Sequence, residues 1–192
     1  MASTALSSEQ YLTNFVCLEN VFSPEDCQRL IYIDIPASQA HVTRFKGSTF
    51  NQLQMNSRNT KVKAIARTPE HQWVYDRLIQ YVQYVNRECF HFRLQKLTEP
   101  QILEYENTGF YGCHLDIGTG DTSRRKISMV VFLTPPEQYE GGQLILQPHF
   151  PAIVQKQGSA VFFPSYLPHE ITPVTSGVRH TLVTWVLGPC FR

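Results

Sequence analysis

His114 and Asp116 stand two residues apart, His169 follows far downstream, and Arg179 lies ten residues beyond it. Side chains on a strand alternate with period two, so a strand through residues 114 to 116 turns His114 and Asp116 to one face and offers both to a single ion. With His169 they form a two-His, one-carboxylate set, which holds one face of an iron(II) ion and leaves coordination positions open opposite. Zinc accepts the same donors and would support hydrolysis. Hydrolysis, however, gives no role to a guanidinium ten residues past the distal histidine. Arg179 suits an acidic small molecule, because its planar fork meets a carboxylate with two parallel hydrogen bonds.

The rest of the chain must position these groups. Its 192 residues, 42% hydrophobic and 17% charged, can bury a sizeable core. The formal net charge is +1 and no long basic run occurs, so no nucleic-acid or membrane partner is expected. Lys61, Lys63 and Arg67 read as a solvated strand face. Five scattered cysteines without a C-x-x-C pair, and an N-terminus lacking a charged and then apolar leader, fit reduced thiols in the cytoplasm. No apolar run reaches the roughly 18 to 20 residues that a membrane helix needs. Residues 1–9 read as a flexible tail and 10–192 as a single domain.

Ser23-Pro24-Glu25-Asp26 supplies an N-cap, a proline at the first helical position and an acidic third residue, predicting a helix over about 24–34. Two strand-like stretches over 41–67 flank a polar segment from Gly47 to Thr60. Thr68-Pro69-Glu70 caps a second predicted helix reaching about residue 90, with Val74, Leu78, Val82, Val85 and Cys89 as its core stripe. Beyond residue 91, short β-rich runs punctuated by Gly, Pro and polar turns are predicted at about 100–106, 110–116, 126–134, 142–147, 151–155, 159–163, 167–173 and 178–187. Many short strands of this kind make a sandwich or barrel, the cupin-like jelly roll among them.

A turn centred on Thr175 would pair the last two strands antiparallel, with His169 opposite Thr181 and Arg179 opposite Ile171. His169, Arg179, Thr181 and Trp185 would then share one face, and His180 would point away as a structural or solvent-facing residue.

The flanking residues carry a more specific signal. Residues 105 to 116 read Tyr-Glu-Asn-Thr-Gly-Phe-Tyr-Gly-Cys-His-Leu-Asp; Lys126-Ile127-Ser128, Tyr139-Glu140-Gly141-Gly142, Gly158 to Pro164, His169, Pro173-Val174-Thr175 and Gly177-Val178-Arg179 follow. In order and spacing this resembles the 2-oxoglutarate and iron(II)-dependent oxygenases, in particular the short prolyl-4-hydroxylase-like hydroxylases of bacteria and phages. The likeness runs from about Val16 to the Trp185-Val186-Leu187-Gly188-Pro189 ending.

The resemblance implies a mainly β fold, a double-stranded β-helix (jelly roll), with the N-terminal helices packed on one outer face. It implies Fe(II), 2-oxoglutarate and O2 as the reacting set, with ascorbate as a reductant, and hydroxylation of an unactivated C–H bond in a prolyl or other amino-acid substrate, free or in a peptide. Tailoring of a small natural product is the alternative, and a non-catalytic jelly-roll binding module or a zinc hydrolase is the alternative of another class. Halogenating relatives lack the carboxylate that Asp116 provides, so hydroxylation is favoured. By resemblance His114, Asp116 and His169 are the metal ligands and catalytic centre, Arg179 grips the far carboxylate of 2-oxoglutarate, and Tyr105 and Thr181 assist it. Lys126 and Ser128 are candidates for the mouth of the site. Arg58 and Tyr111, with Asn59 and Phe110, are candidates for substrate contact, whereas Trp185 reads as core and Gly141-Gly142 as a tight turn.

Overall fold

The computed structural model describes residues 12–39, 58–146 and 153–191. The predicted tail, and all of the polar segment before Arg58, lie outside the described residues.

Apolar β-branched and aromatic runs build the large sheet. Its order is β1 (Val16–Leu18), β11 (Ala160–Pro164), β8 (Arg125–Phe132), β14 (Arg179–Leu187), β6 (Gln101–Tyr105), β4 (Lys61–Ala64) and β2 (Ser38–Gln39), with β5 (Lys96–Leu97) paired to the end of β14. Opposite it stands a smaller sheet, in the order β10 (Leu144–Leu146), β12 (His169–Ile171), β7 (Phe110–His114) and β3 (Arg58–Asn59). A ribbon of β13 (Val174–Gly177) and β9 (Tyr139–Gly141) joins them. Every pairing is antiparallel, giving the jelly roll expected from the sequence.

Both faces of the large sheet are buried at its centre, so β8 is buried at every residue from Lys126 to Phe132. One face packs Ile102, Ile127, Val131, Phe162, Leu182 and Val186 against helices α1 (Pro24–Ile31) and α2 (Gln72–Val85). The other turns Leu103, Tyr105, Val130, Phe132, Val161 and Phe163 toward Leu144, Leu146 and Ile171 of the small sheet. The helices thus sit on one outer face, and the site faces the space between the sheets.

Helix α1 begins as predicted, with Ser23 Oγ accepting from Asp26 N at 3.1 Å and Asp26 Oδ2 from Ser23 N at 3.4 Å. Such a cap contributes about 1 kcal/mol. The helix stops at Ile31 rather than residue 34. Helix α2 begins at Gln72 without a side-chain cap and passes at Asn86–Phe90 into a π-turn, where His91 closes it in the left-handed region. The core stripe is as expected: Val74, Leu78, Val82, Val85 and Cys89 are all buried.

Two strand expectations are corrected. Residues 153–155 of the predicted strand 151–155 are not in a strand. The last two strands do not pair: β12 bonds to β10 and β7, β13 bonds to β9, and β14 lies in the other sheet between β8 and β6. The chain between His169 and Arg179 crosses from one sheet to the other. A turn signal in sequence marks a change of direction, and the partner strand is chosen by tertiary packing.

Lys61 and Lys63 are engaged rather than merely solvated. Lys61 Nζ pairs with Glu104 at 2.8 Å and also with Glu106, while Lys63 Nζ donates to the carbonyls of Ile31 and Ile33. His180 Nε2 faces Glu104 Oε2 at 3.3 Å, so its role is structural.

Candidate metal centre and its cavity

His114 ends β7 and His169 begins β12, and the two are direct cross-strand partners. Their ring centroids are 4.2 Å apart. Asp116 does not share the strand, which stops at His114. It is placed instead by its own backbone, whose N–H donates to Ser165 O at 3.1 Å, and by Arg125 Nη1, which donates to Asp116 O at 3.0 Å. Proximity of His114 and Asp116 was legible from their spacing; a shared strand was the wrong reason for it.

The carboxylate approaches both imidazoles, Oδ1 to His114 Nε2 at 3.7 Å and Oδ2 to His169 Nε2 at 3.5 Å, and the side chain of Asp116 is only 9% exposed. The three potential ligand atoms all lie within 4.8 Å of one another. Each imidazole is oriented from behind: Nδ1 of His114 faces Gly112 O at 2.8 Å, and Nδ1 of His169 faces Leu167 O at 3.0 Å. Because a carbonyl only accepts, these contacts put the proton on Nδ1 and leave Nε2 as a free donor to a metal. Ser128 Oγ donates to Asp116 Oδ2 at 2.6 Å and lies 3.0 Å from Ser165 Oγ.

Electrostatics suit a cation. Burial alone would raise the Asp116 pKa, but attraction to His169, interaction with His114 and the Ser128 hydrogen bond outweigh it and hold the carboxyl well below the usual carboxylate range. Burial lowers the His169 pKa in spite of the neighbouring Asp116. The set is therefore an ionised carboxylate with a neutral His169, the protonation state that metal binding requires. Arg125, the nearby guanidinium, bonds to the Asp116 main chain and stacks over Trp185 at 3.7 Å. A buried carboxylate facing two imidazole Nε2 atoms fits a divalent metal ion.

Arg179 is paired across β14 and β6 with Tyr105, and Thr181 with Leu103 and Phe132. Alternation along β14 puts Arg179, Thr181, Val183 and Trp185 on the inward face, so the predicted face is right although the predicted partner strand is not. The guanidinium is 1% exposed, and its Nη1 has no hydrogen-bond partner. Its Nε and Nη2 donate to Gln155 Oε1 at 3.3 and 2.9 Å. Room for it comes from Gly142, where a Cβ would lie 2.6 Å from Arg179 Cδ. The double glycine thus allows the close approach as well as the turn, Gly141 and Gly142 having φ of +74° and +59°. An orphaned donor on a buried guanidinium fits the carboxylate of a bound acid.

A cavity of about 460 Å³ opens over the triad, and Tyr105, Thr181, Ser128 and Tyr111 all line it. Arg58 also lines it, from the short strand β3: it pairs with Tyr111 and its guanidinium lies 4.6 Å from the centroid of that ring. Trp185, expected in the core, is a cavity wall. Lys126 is not; its ammonium sits 3.0 Å from the Phe191 ring centroid. Sequence reading missed Arg125, Gln155, Ser165 and Thr60. The last is buried, donates to Glu104 O at 2.7 Å and interacts with the Tyr105 phenol. All four act through contacts distant in sequence and carry no local signal.

Residues 100–187 match the family model of the 2OG-Fe(II) oxygenase superfamily. A PKHD-type hydroxylase of Alteromonas mediterranea is 40% identical over 100 residues, covering 48% of this chain and 44% of that protein. One of Hyphomonas neptunium is 42% identical over 82 residues, covering 40% and 37%. The matched stretch thus spans less than half the length of these relatives. In three dimensions the chain is similar to a collagen prolyl hydroxylase of Paramecium Bursaria Chlorella virus-1, with a TM-score of 0.69 and 20% identity over 91% of this chain and 96% of that one. A prolyl hydroxylase of Trichoplax adhaerens, solved with a hypoxia inducible factor peptide, aligns with a TM-score of 0.71 and 16% identity over 94% and 89%. Residues 100–187, which carry the His114, Asp116 and His169 cluster and Arg179, are thus similar to the 2OG-Fe(II) oxygenase superfamily, and the chain shares the fold of the prolyl hydroxylases.

Proposed function

We propose that the protein is an iron(II)- and 2-oxoglutarate-dependent dioxygenase that hydroxylates an unactivated C–H bond of a prolyl or other amino-acid residue, free or in a peptide. One observation carries the reading: the buried His114, Asp116 and His169 cluster opens on the inter-sheet cavity, and the buried Arg179 stands behind its lining, paired with the cavity residue Tyr105 and 5.2 Å from the centroid of that ring. Iron(II) with 2-oxoglutarate and O2, when bound, supplies the two-electron oxidation, the cosubstrate leaving as succinate and CO2.

The chain's own residues position and shield. His114 Nε2, His169 Nε2 and an Asp116 oxygen would hold the metal, the backbone carbonyls behind the imidazoles and the Ser128 hydroxyl fixing their directions. Arg179 would take the far carboxylate of the cosubstrate, with Tyr105 and Thr181 completing that wall. The apolar side chains of Leu103, Val130, Leu144 and Ile171 limit water around the reacting carbon.

Among the described residues lining the cavity, Arg58 and Arg125 are basic and Asp116 alone is acidic. Arg58 has a buried Nε without a partner. A substrate bearing a carboxylate, such as an amino acid or a peptide terminus, would satisfy it. The five free cysteines suit a reducing, cytoplasmic setting, and no helix among the described residues is long and apolar enough to cross a membrane.

The test is aerobic turnover with Fe(II), 2-oxoglutarate and ascorbate across an amino-acid and peptide panel. Succinate release together with the mass gain of one oxygen is expected. Hydrolysis of a panel member with zinc, and no succinate with iron, would replace the oxygenase reading.

A further inference from the structure

Arg179 is held chiefly by an amide, with the Tyr139 phenol also interacting with its guanidinium. Gln155 Oε1 accepts from both Nε and Nη2, and no described acidic residue forms an ion pair with the guanidinium. Because arginine only donates, the amide oxygen must face it, and Gln155 Nε2 must be the outward atom. That Nε2 is itself buried without a partner, as is Arg179 Nη1, and the two side chains are 5% and 1% exposed. Leaving buried donors unmade costs about 1–3 kcal/mol each, more for a charged group, so Arg179 Nη1 and Gln155 Nε2 are two donors that a bound oxygen would satisfy.

We propose that Gln155 is the positioning residue that sets the selectivity of this site for a dicarboxylate cosubstrate. As a neutral clamp it occupies the Nε and Nη2 edge, fixes the guanidinium plane and directs the Nη1 end to the arriving carboxylate. A carboxylate at position 155 would fix the plane equally well but would cancel the charge that the cosubstrate needs. A core glutamine that only filled space would carry no such requirement for neutrality beside the guanidinium. The inference rests on the cosubstrate assignment above.

The experiment titrates 2-oxoglutarate into the full-length, Mn(II)-loaded protein by calorimetry, without turnover, and records thermal unfolding of the cosubstrate-free form. Gln155→Glu is expected to raise Tm, because it pairs a buried cation, yet to weaken 2-oxoglutarate binding at least about a hundredfold, because two like charges would then crowd one guanidinium. Mn(II) affinity should not change. Gln155→Ala should weaken 2-oxoglutarate about tenfold, and in turnover it should raise KM for the cosubstrate with kcat little altered. Unchanged 2-oxoglutarate affinity in Gln155→Glu overturns the proposal; if that variant does not fold, unchanged affinity in Gln155→Ala does so. A wild-type protein that binds Mn(II) but not 2-oxoglutarate removes the cosubstrate assignment itself, and the proposal with it.

Discussion

The imidazole of His114 stacks on the ring of Tyr111, with centroids 3.5 Å apart and planes within 15°. Residues three apart on a regular strand point to opposite faces. A register shift makes this contact: His169 pairs with His114 and Ile171 with Tyr111, so the single residue between them on β12, Glu170, lies against two on β7, Gly112 and Cys113. The bulge re-aims Tyr111 onto the side of the candidate ligands. Through Tyr111 a candidate metal ligand meets the Arg58 guanidinium at the cavity wall.

Arg58→Ala is therefore expected to act on the prime substrate. Substrate-coupled oxidation should fall, while 2-oxoglutarate decarboxylation without substrate persists. Comparing succinate with oxidised product tests this; equal coupling in the variant and the wild type would take Arg58 out of the substrate site.

Removing any metal ligand should abolish iron-dependent turnover. His114→Ala, Asp116→Ala and His169→Ala each leave an incomplete facial set, which loses both affinity and geometry. Metal content and succinate formation are the readouts, with circular dichroism confirming the fold. Near-normal succinate from the His169 variant would end the assignment.

Arg179→Ala should raise the 2-oxoglutarate requirement at least about tenfold, since a charge-assisted contact of this type contributes about 1.5 to 3 kcal/mol. The apparent KM for 2-oxoglutarate measures it. An unchanged KM accompanied by weakened prime-substrate binding would reassign the guanidinium to the substrate.

Ser128→Ala should keep the three ligands yet release Asp116 Oδ2 from its 2.6 Å hydrogen bond. Loss of an outer partner of this kind costs roughly 10- to 100-fold in metal affinity or activity. Metal titration should show the loss with little change in Tm, and full metal affinity would mean that the main-chain bonds of Asp116 suffice to place it.

By itself the sequence marked which groups could do chemistry. His114, Asp116, His169 and Arg179 were legible because ligand chemistry demands particular side chains, and the inward face of β14 followed from the period-two pleat, which is local. The alternating burial that sends Ile127 and Val131 toward the helices and Val130 and Phe132 toward the site is local too. Tertiary structure alone decided which strand sits beside which. It carried the chain from His169 in one sheet to Arg179 in the other, inserted the bulge that brings Tyr111 to His114, and delivered Gln155 to Arg179 and Ser165 to Asp116. Those contacts join residues separated by many positions, and their energies depend on burial and on satisfying particular donors. Neither quantity exists until the two sheets close on one another.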